Sequence, residues 1–133
     1  MNQRGFATLE VILMVMVIGI LASIAVPRFT SVTTAANTAK IQSDLTTIDT
    51  AISIYYMEHG SYPTELNQLG EYLRGADGEL KPPTGSAYID GTETTITATT
   101  YGITTPSETE EARSYLQASE NTSEKFYIPK KTT

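Results

Sequence analysis

Hydrophobic and polar positions divide this chain into two kinds of material. From Phe6 to Val26 nearly every side chain is apolar, Glu10 is the one formal charge, and positions 11–21 carry no polar side chain at all. Such a run supplies the ~20 helical residues needed to cross a ~30 Å hydrocarbon core. Beyond Pro27 the apolar positions thin to a stripe: Ile41, Leu45, Ile48, Ile52 and Tyr55 recur at spacings of 4, 3, 4 and 3, the period of an amphipathic helix. The other faces carry Thr, Ser and Ala with Lys40, Asp44 and Asp49. No Gly or Pro interrupts positions 28–59, and Gly60 followed by Pro63 supplies a stop. The pattern predicts one helix from about Phe6 to Met57, kinked at Pro27 because an interior proline removes a hydrogen bond and crowds the preceding turn.

After Gly60 the elements become short. Thr64 is placed to cap a second helix bearing Leu66, Leu69, Tyr72 and Leu73. Arg74 to Gly85, with three glycines and two prolines, reads as a connecting loop. Ala87-Tyr88-Ile89 and the β-branched run Thr94 to Tyr101 read as strands around Asp90-Gly91, a strong hairpin dipeptide. Ser107-Glu108-Thr109-Glu110 has the form of a capping box opening a short helix with Ala112, Tyr115 and Leu116. Phe126-Tyr127-Ile128 reads as a last strand ended by Pro129, with a disordered tail from Lys130. The fold class expected is α+β: a long N-terminal spine helix, hydrophobic in its first half, packed through the Ile41–Tyr55 stripe against a small antiparallel sheet domain.

Composition narrows the chemistry. The 133 residues suit one domain, and the absence of cysteine removes disulfides, zinc-thiolate sites and thiol nucleophiles together. A small domain without staples is expected to lean on the long helix. Past Arg28 there are seven Lys or Arg against fourteen Asp or Glu, a balance that argues against direct contact with nucleic acid. His59 is the single histidine and reads as a helix-end surface residue. Asp77, Glu79, Asp90 and Glu93 lie in loops but match no dedicated calcium spacing, so no metal, cofactor or catalytic residue is assigned. Asn121-Thr122-Ser123 is a formal glycosylation sequon and a weak signal.

Several readings compete for the N-terminal run. A soluble core helix would need burial on every face. A cleaved secretory signal is compatible with Ser23-Ile24-Ala25, a passable small-x-small site. A plain anchor, with Arg4 favouring an N-in orientation, is also compatible. Glu10 favours a fourth. A carboxylate at membrane depth costs roughly 2.5–3.5 kcal/mol on the lenient insertion scale, which marks it as functional, although at headgroup level it would only complement the helix dipole.

The residues around it carry a specific resemblance. A polar leader ending in Arg4-Gly5, then Phe6, then Glu10 four residues later, resembles the processing site of type IV prepilins and type II secretion pseudopilins. Gly19 and Ile20 to Pro27 resemble the family's spine segment, so the likeness covers about the first 60 residues; Ala7-Thr8-Leu9-Glu10 departs slightly from the usual Thr-Leu-Ile-Glu order. The Gly-Ser-Tyr-Pro-Thr run from Gly60 resembles a junction seen in pseudopilins and many Gram-positive pilins.

The resemblance implies a leader at 1–5, a transmembrane and assembly segment at 6–29, an amphipathic helix at 30–59 and a soluble α/β-loop and sheet domain at 60–133. It implies cleavage after Gly5 and methylation of Phe6 by a prepilin peptidase and methyltransferase. Glu10, Gly19 and Pro27 would act in assembly: Glu10 by pairing with the new amine on a neighbouring or the same chain, the Gly19–Pro27 stretch by loosening. Gly and Pro are also simply tolerated in membrane helices. The expected protein is a non-enzymatic structural subunit of a type IV pilus-like filament. Its partners would be copies of itself, the peptidase, an inner-membrane assembly platform and the membrane. It would be single-pass before assembly and then part of a cell-surface filament or periplasmic pseudopilus. The alternative is a minor pilin or pseudopilin acting as a binding or initiating module in adhesion, DNA uptake or secretion.

Overall fold

A computed structural model describes residues 3–73, 80–107, 110–118 and 125–127. The chain divides into two compact units, Met1–Thr33 and Thr34–Thr133. Helix α1 covers Gln3–His59 and includes Pro27 in its span. It ends where Gly60 takes a left-handed φ of 69° and donates its N–H to the Tyr56 carbonyl at 2.8 Å, a conformation glycine adopts without steric penalty.

In the first unit Ala25 is the one half-buried residue among those described; the rest are exposed. The hydroxyls there fold back onto the helix, Thr8 onto the Arg4 carbonyl at 2.9 Å and Ser23 onto that of Ile20 at 2.7 Å. Each of these two hydroxyls thereby has a partner that lipid would not supply.

The second unit is built on the remaining turns of α1. Ile41, Leu45, Ile48 and Ile52 are each no more than 2% exposed, with Tyr55 packed at the end of the row, so the stripe read from the spacing is the core stripe. Full burial stabilises about 1.5–3 kcal/mol for each such side chain. The same core takes Leu69, Ala87, Ile96, Leu116 and Phe126 from the elements that follow.

Those elements form two small antiparallel sheets. Strand β1 (Gly85–Ile89) pairs with β2 (Thr92–Ile96) in the register Gly85↔Ile96 to Ile89↔Thr92. Asp90 and Gly91 turn the hairpin at φ values of 47° and 82°, the positive pair a two-residue turn needs. The second sheet has the order β3 (Gly102–Ile103), β4 (Ser114–Gln117), β5 (Lys125–Phe126). The hairpin is held to α1 by polar side chains. Asn37 Nδ2 donates to the carbonyls of Thr84 and Ser86 at 3.1 and 2.9 Å, and Tyr88 N–H donates to Thr38 Oγ1 at 2.7 Å. Such contacts cover backbone groups that would otherwise form an open edge.

Three local expectations are corrected. The short second helix is present but limited to one 3₁₀ turn, Leu66–Leu69, and its N-cap is Glu65 rather than Thr64. The Gln68 side-chain oxygen there takes the N–H groups of Thr64 and Glu65. The run from Thr94 to Tyr101 is not one strand, because β2 ends at Ile96 and Thr97 donates its N–H to the Ala118 carbonyl at 2.9 Å. Ser107 and Glu110 do not cap a helix. They exchange backbone hydrogen bonds at 2.9 and 3.3 Å, residues 108 and 109 lie outside the described residues, and β4 follows from Ser114. Ala112, Ser114, Leu116 and Ala118 are the buried set, a period of two. Residues 74–79 of the connecting loop, the 121–123 sequon, Ile128 and the tail from Lys130 lie outside the described residues.

Candidate assembly site

Gly5, Phe6, Glu10, Gly19 and Pro27 all lie on α1 within the first unit. Phe6 is 76% exposed. Four residues of helix separate it from Glu10, about 6 Å of rise and a little over one turn, so the two share a face. Glu10 also shares that face with Leu13, Met14, Val17 and Ile18. The spacing i, i+3, i+4, i+7 and i+8 is the stripe a packed helix buries. Apolar exposure continues around the other faces, through Leu9, Ile12, Val15, Met16 and Ile20. Nothing lies within 4 Å of where a Cβ would stand on Gly5 or Gly19, leaving a close approach open at both. The helix is long and apolar enough to cross a membrane, and its hydrophobic window is 0% buried.

Chemistry in the second unit is of another kind. Asp44, which the spacing puts on a solvent face, is 8% exposed and accepts the Tyr101 hydroxyl at 2.7 Å. Lys40 pairs with the same carboxylate and also donates to the Lys81 carbonyl at 3.0 Å. Burial first, then the bond to Asp44, pushes the Tyr101 phenol well above its usual range. Asp49 accepts the Ser114 N–H at 2.7 Å, and Ser114 Oγ lies 2.7 Å from Asp49 Oδ1 and 3.0 Å from the Leu45 carbonyl. These contacts fix Tyr101 and strand β4 against the helix. An apolar stripe gives no warning of them, because the carboxylates flank the stripe and their partners lie 57 and 65 residues away.

His59 stacks on Tyr55 with ring centroids 4.2 Å apart. Among the described residues no group of three His, Asp or Glu converges to hold a metal ion. Asp77 and Glu79 lie outside the described residues, whereas Glu93 Oε1 accepts the Thr34 hydroxyl at 3.4 Å.

Comparison with known proteins finds relatives over roughly half to two thirds of the chain. The chain is 35% identical over 63 residues to type II secretion system core protein G of Klebsiella michiganensis, covering 47% of this chain and 44% of that protein. It is 31% identical to the Aeromonas hydrophila protein of the same name over 94 residues, 68% of this chain and 61% of that protein. To the type IV narrow pilus major component PilA5 of Thermus thermophilus it is 34% identical, over 48% of this chain and 55% of that one. The chain is thus similar, over part of its length, to type II secretion system core proteins G and to a type IV pilus major component. Like a pilin, it carries one long N-terminal helix, α1, followed by small antiparallel sheets. It spans about half the length of the first pseudopilins it matches, 44%, 45% and 48% of them. No family model and no solved structure matches it.

Proposed function

We propose that this chain is a structural subunit of a type IV pilus-like filament, cut after Gly5 by a prepilin peptidase and polymerised through the first half of α1. The observation that carries this reading is the unpartnered helix. A helix apolar on every face belongs in a core or a membrane, and here its apolar window is 0% buried. Lipid before assembly, and copies of the same helix afterwards, are the covers that fit. On this reading residues 1–5 are a leader, 6–29 anchor and assemble, 30–59 carry the domain-facing stripe, and 60–133 form the soluble domain.

Cleavage would release the Phe6 amine about one turn from Glu10, in a place where an unpaired charge is costly. Pairing of the two, within a chain or between neighbours, offsets both desolvation costs and gives the subunits a stagger. Gly19 and Pro27 would mark the stretch that loosens as the helix leaves lipid. The peptidase, an assembly platform and the membrane are the remaining partners, and a surface filament or periplasmic pseudopilus the destination.

Intact mass and N-terminal peptides of the chain made beside a prepilin peptidase test the reading. A start at methylated Phe6 is expected. A start at Val26 would replace the filament with an ordinary secreted protein, and retention of Met1 would leave a plain anchor.

A further inference from the structure

Two patches of opposite charge lie on the second unit, and both are built on tyrosine rings. The first is on the sheet β3–β4–β5. The Arg113 guanidinium carbon sits 5.5 Å from the centre of the Tyr127 ring, the Lys125 ammonium 4.3 Å from that of Tyr115, and the two rings are 6.0 Å apart. Tyr115 is itself fixed by the strand pair: a Cβ on Gly102, its partner across the ladder, would meet the ring at 2.4 Å. Cations held over aromatic faces keep their charge with less side-chain freedom to lose on binding.

The second patch is at the C-terminal end of α1. Tyr72 packs edge-on against Tyr55 with centroids 6.1 Å apart and donates its hydroxyl to the Glu58 carboxylate. That bond first, then burial and the charges of Glu58 and Glu71, pushes the Tyr72 phenol up to about 12. Two carboxylates therefore bear on one ring. Met57 and Tyr56 beside them are 79% and 43% exposed, the kind of aromatic and methionine surface enriched in protein contacts.

We propose that these patches are the two sides of one contact between copies of this chain, the Arg113–Lys125 face of one subunit seating on the Glu58–Glu71 face of the next. The inference rests on the filament reading and names its partner surface. Two different surfaces of one chain in contact are heterologous, and a heterologous contact that does not close continues as an open polymer. Charge selects the occupant. The uncut chain carries a net −6, and the leader takes the positive Arg4 with it, so a filament of identical copies accumulates repulsion, which a cationic face set on a neighbour's acidic face offsets. The same net charge repels a free polyanion, whose capture takes clustered Lys and Arg. A second copy held in the same membrane instead presents its carboxylates at high effective concentration.

The chain has no cysteine, so an introduced pair reports one contact. Lys125→Cys and Glu71→Cys together, in the full chain expressed with its peptidase and assembly machinery, are expected to give a ladder beyond dimers with a short thiol crosslinker. Neither substitution alone should do so. Filaments without that ladder, or with dimers only, overturn the contact and leave the filament reading standing. Absence of filaments from the unsubstituted chain overturns both. As a second measurement, Arg113→Glu with Lys125→Glu should lower filament yield about tenfold or more, by like-charge juxtaposition, with N-terminal processing unchanged. Adding Glu58→Lys and Glu71→Lys to the same chain should restore the yield. Unchanged yield in the first variant, or no restoration in the second, removes the pairing.

Discussion

At the scale of single residues, Tyr101 and Asp44 hold the second unit together through a bond that neither would make alone in an apolar setting. A buried carboxylate is costly unless it is hydrogen-bonded and paired; Asp44 has the Tyr101 hydroxyl and the Lys40 ammonium. The phenol is raised by burial and by that bond, so on alkaline titration the unfolded chain loses its proton first, near pH ~10. The native state then binds more protons than the unfolded state, and the contribution of Tyr101, complete below that pH, drains away as pH rises above it. Tyr101→Phe is expected to lower stability near neutrality by about 1.5–3 kcal/mol, the net worth of a hydrogen bond to a charged group. It should also make the loss above pH ~10 shallower. Denaturant unfolding of the detergent-solubilised full chain on both sides of that pH measures the two effects.

At the scale of elements, α1 shows how far a spacing rule reaches. The 4-3-4-3 recurrence from Ile41 to Tyr55 marks the buried face correctly, because a helix has one period and the core covers one stripe of it. Leu45 is 0% exposed whereas Ile54, on another face, is 39% exposed. Leu45→Ala should cost about 2–5 kcal/mol through lost burial and the cavity left behind. Ile54→Ala should stay within about 0.5 kcal/mol. Equal costs in the same unfolding measurement would mean that the stripe does not set the packing. The Asp90-Gly91 hairpin was equally legible, since few dipeptides suit two successive positive φ values. Strand β4 was not. Its buried alternation runs through Ser114, a polar side chain whose burial depends on Asp49 and the Leu45 carbonyl, so the local pattern imitated a helix start.

At the scale of the whole molecule, the first half of α1 exposes apolar surface, and Glu10 stands among it with Leu13, Met14, Val17 and Ile18. If the carboxylate serves assembly by pairing with the released amine of Phe6, Glu10→Ala should be processed at the normal rate yet yield at least about tenfold fewer filaments. Losing one partner of a buried pair costs about 3–5 kcal/mol per contact. Sheared-filament yield beside N-terminal sequencing separates the two effects, and a normal yield would sink the pairing. The relatives are 31% to 36% identical over the part of the chain they cover.

By itself the sequence determined what depends on near neighbours along the chain: the apolar run, the period of the stripe, the stop at Gly60, the tight turn at Asp90-Gly91 and the spacing from Gly5 to Glu10. Each follows from local geometry or from counting residues against a membrane. Tertiary structure alone decided which polar groups go inside. Asn37 reaches the hairpin carbonyls, Asp44 reaches Tyr101 and Asp49 reaches Ser114 across 47 to 65 residues. A buried polar group is stable only beside its partner, and partners so distant become neighbours only once the chain has folded.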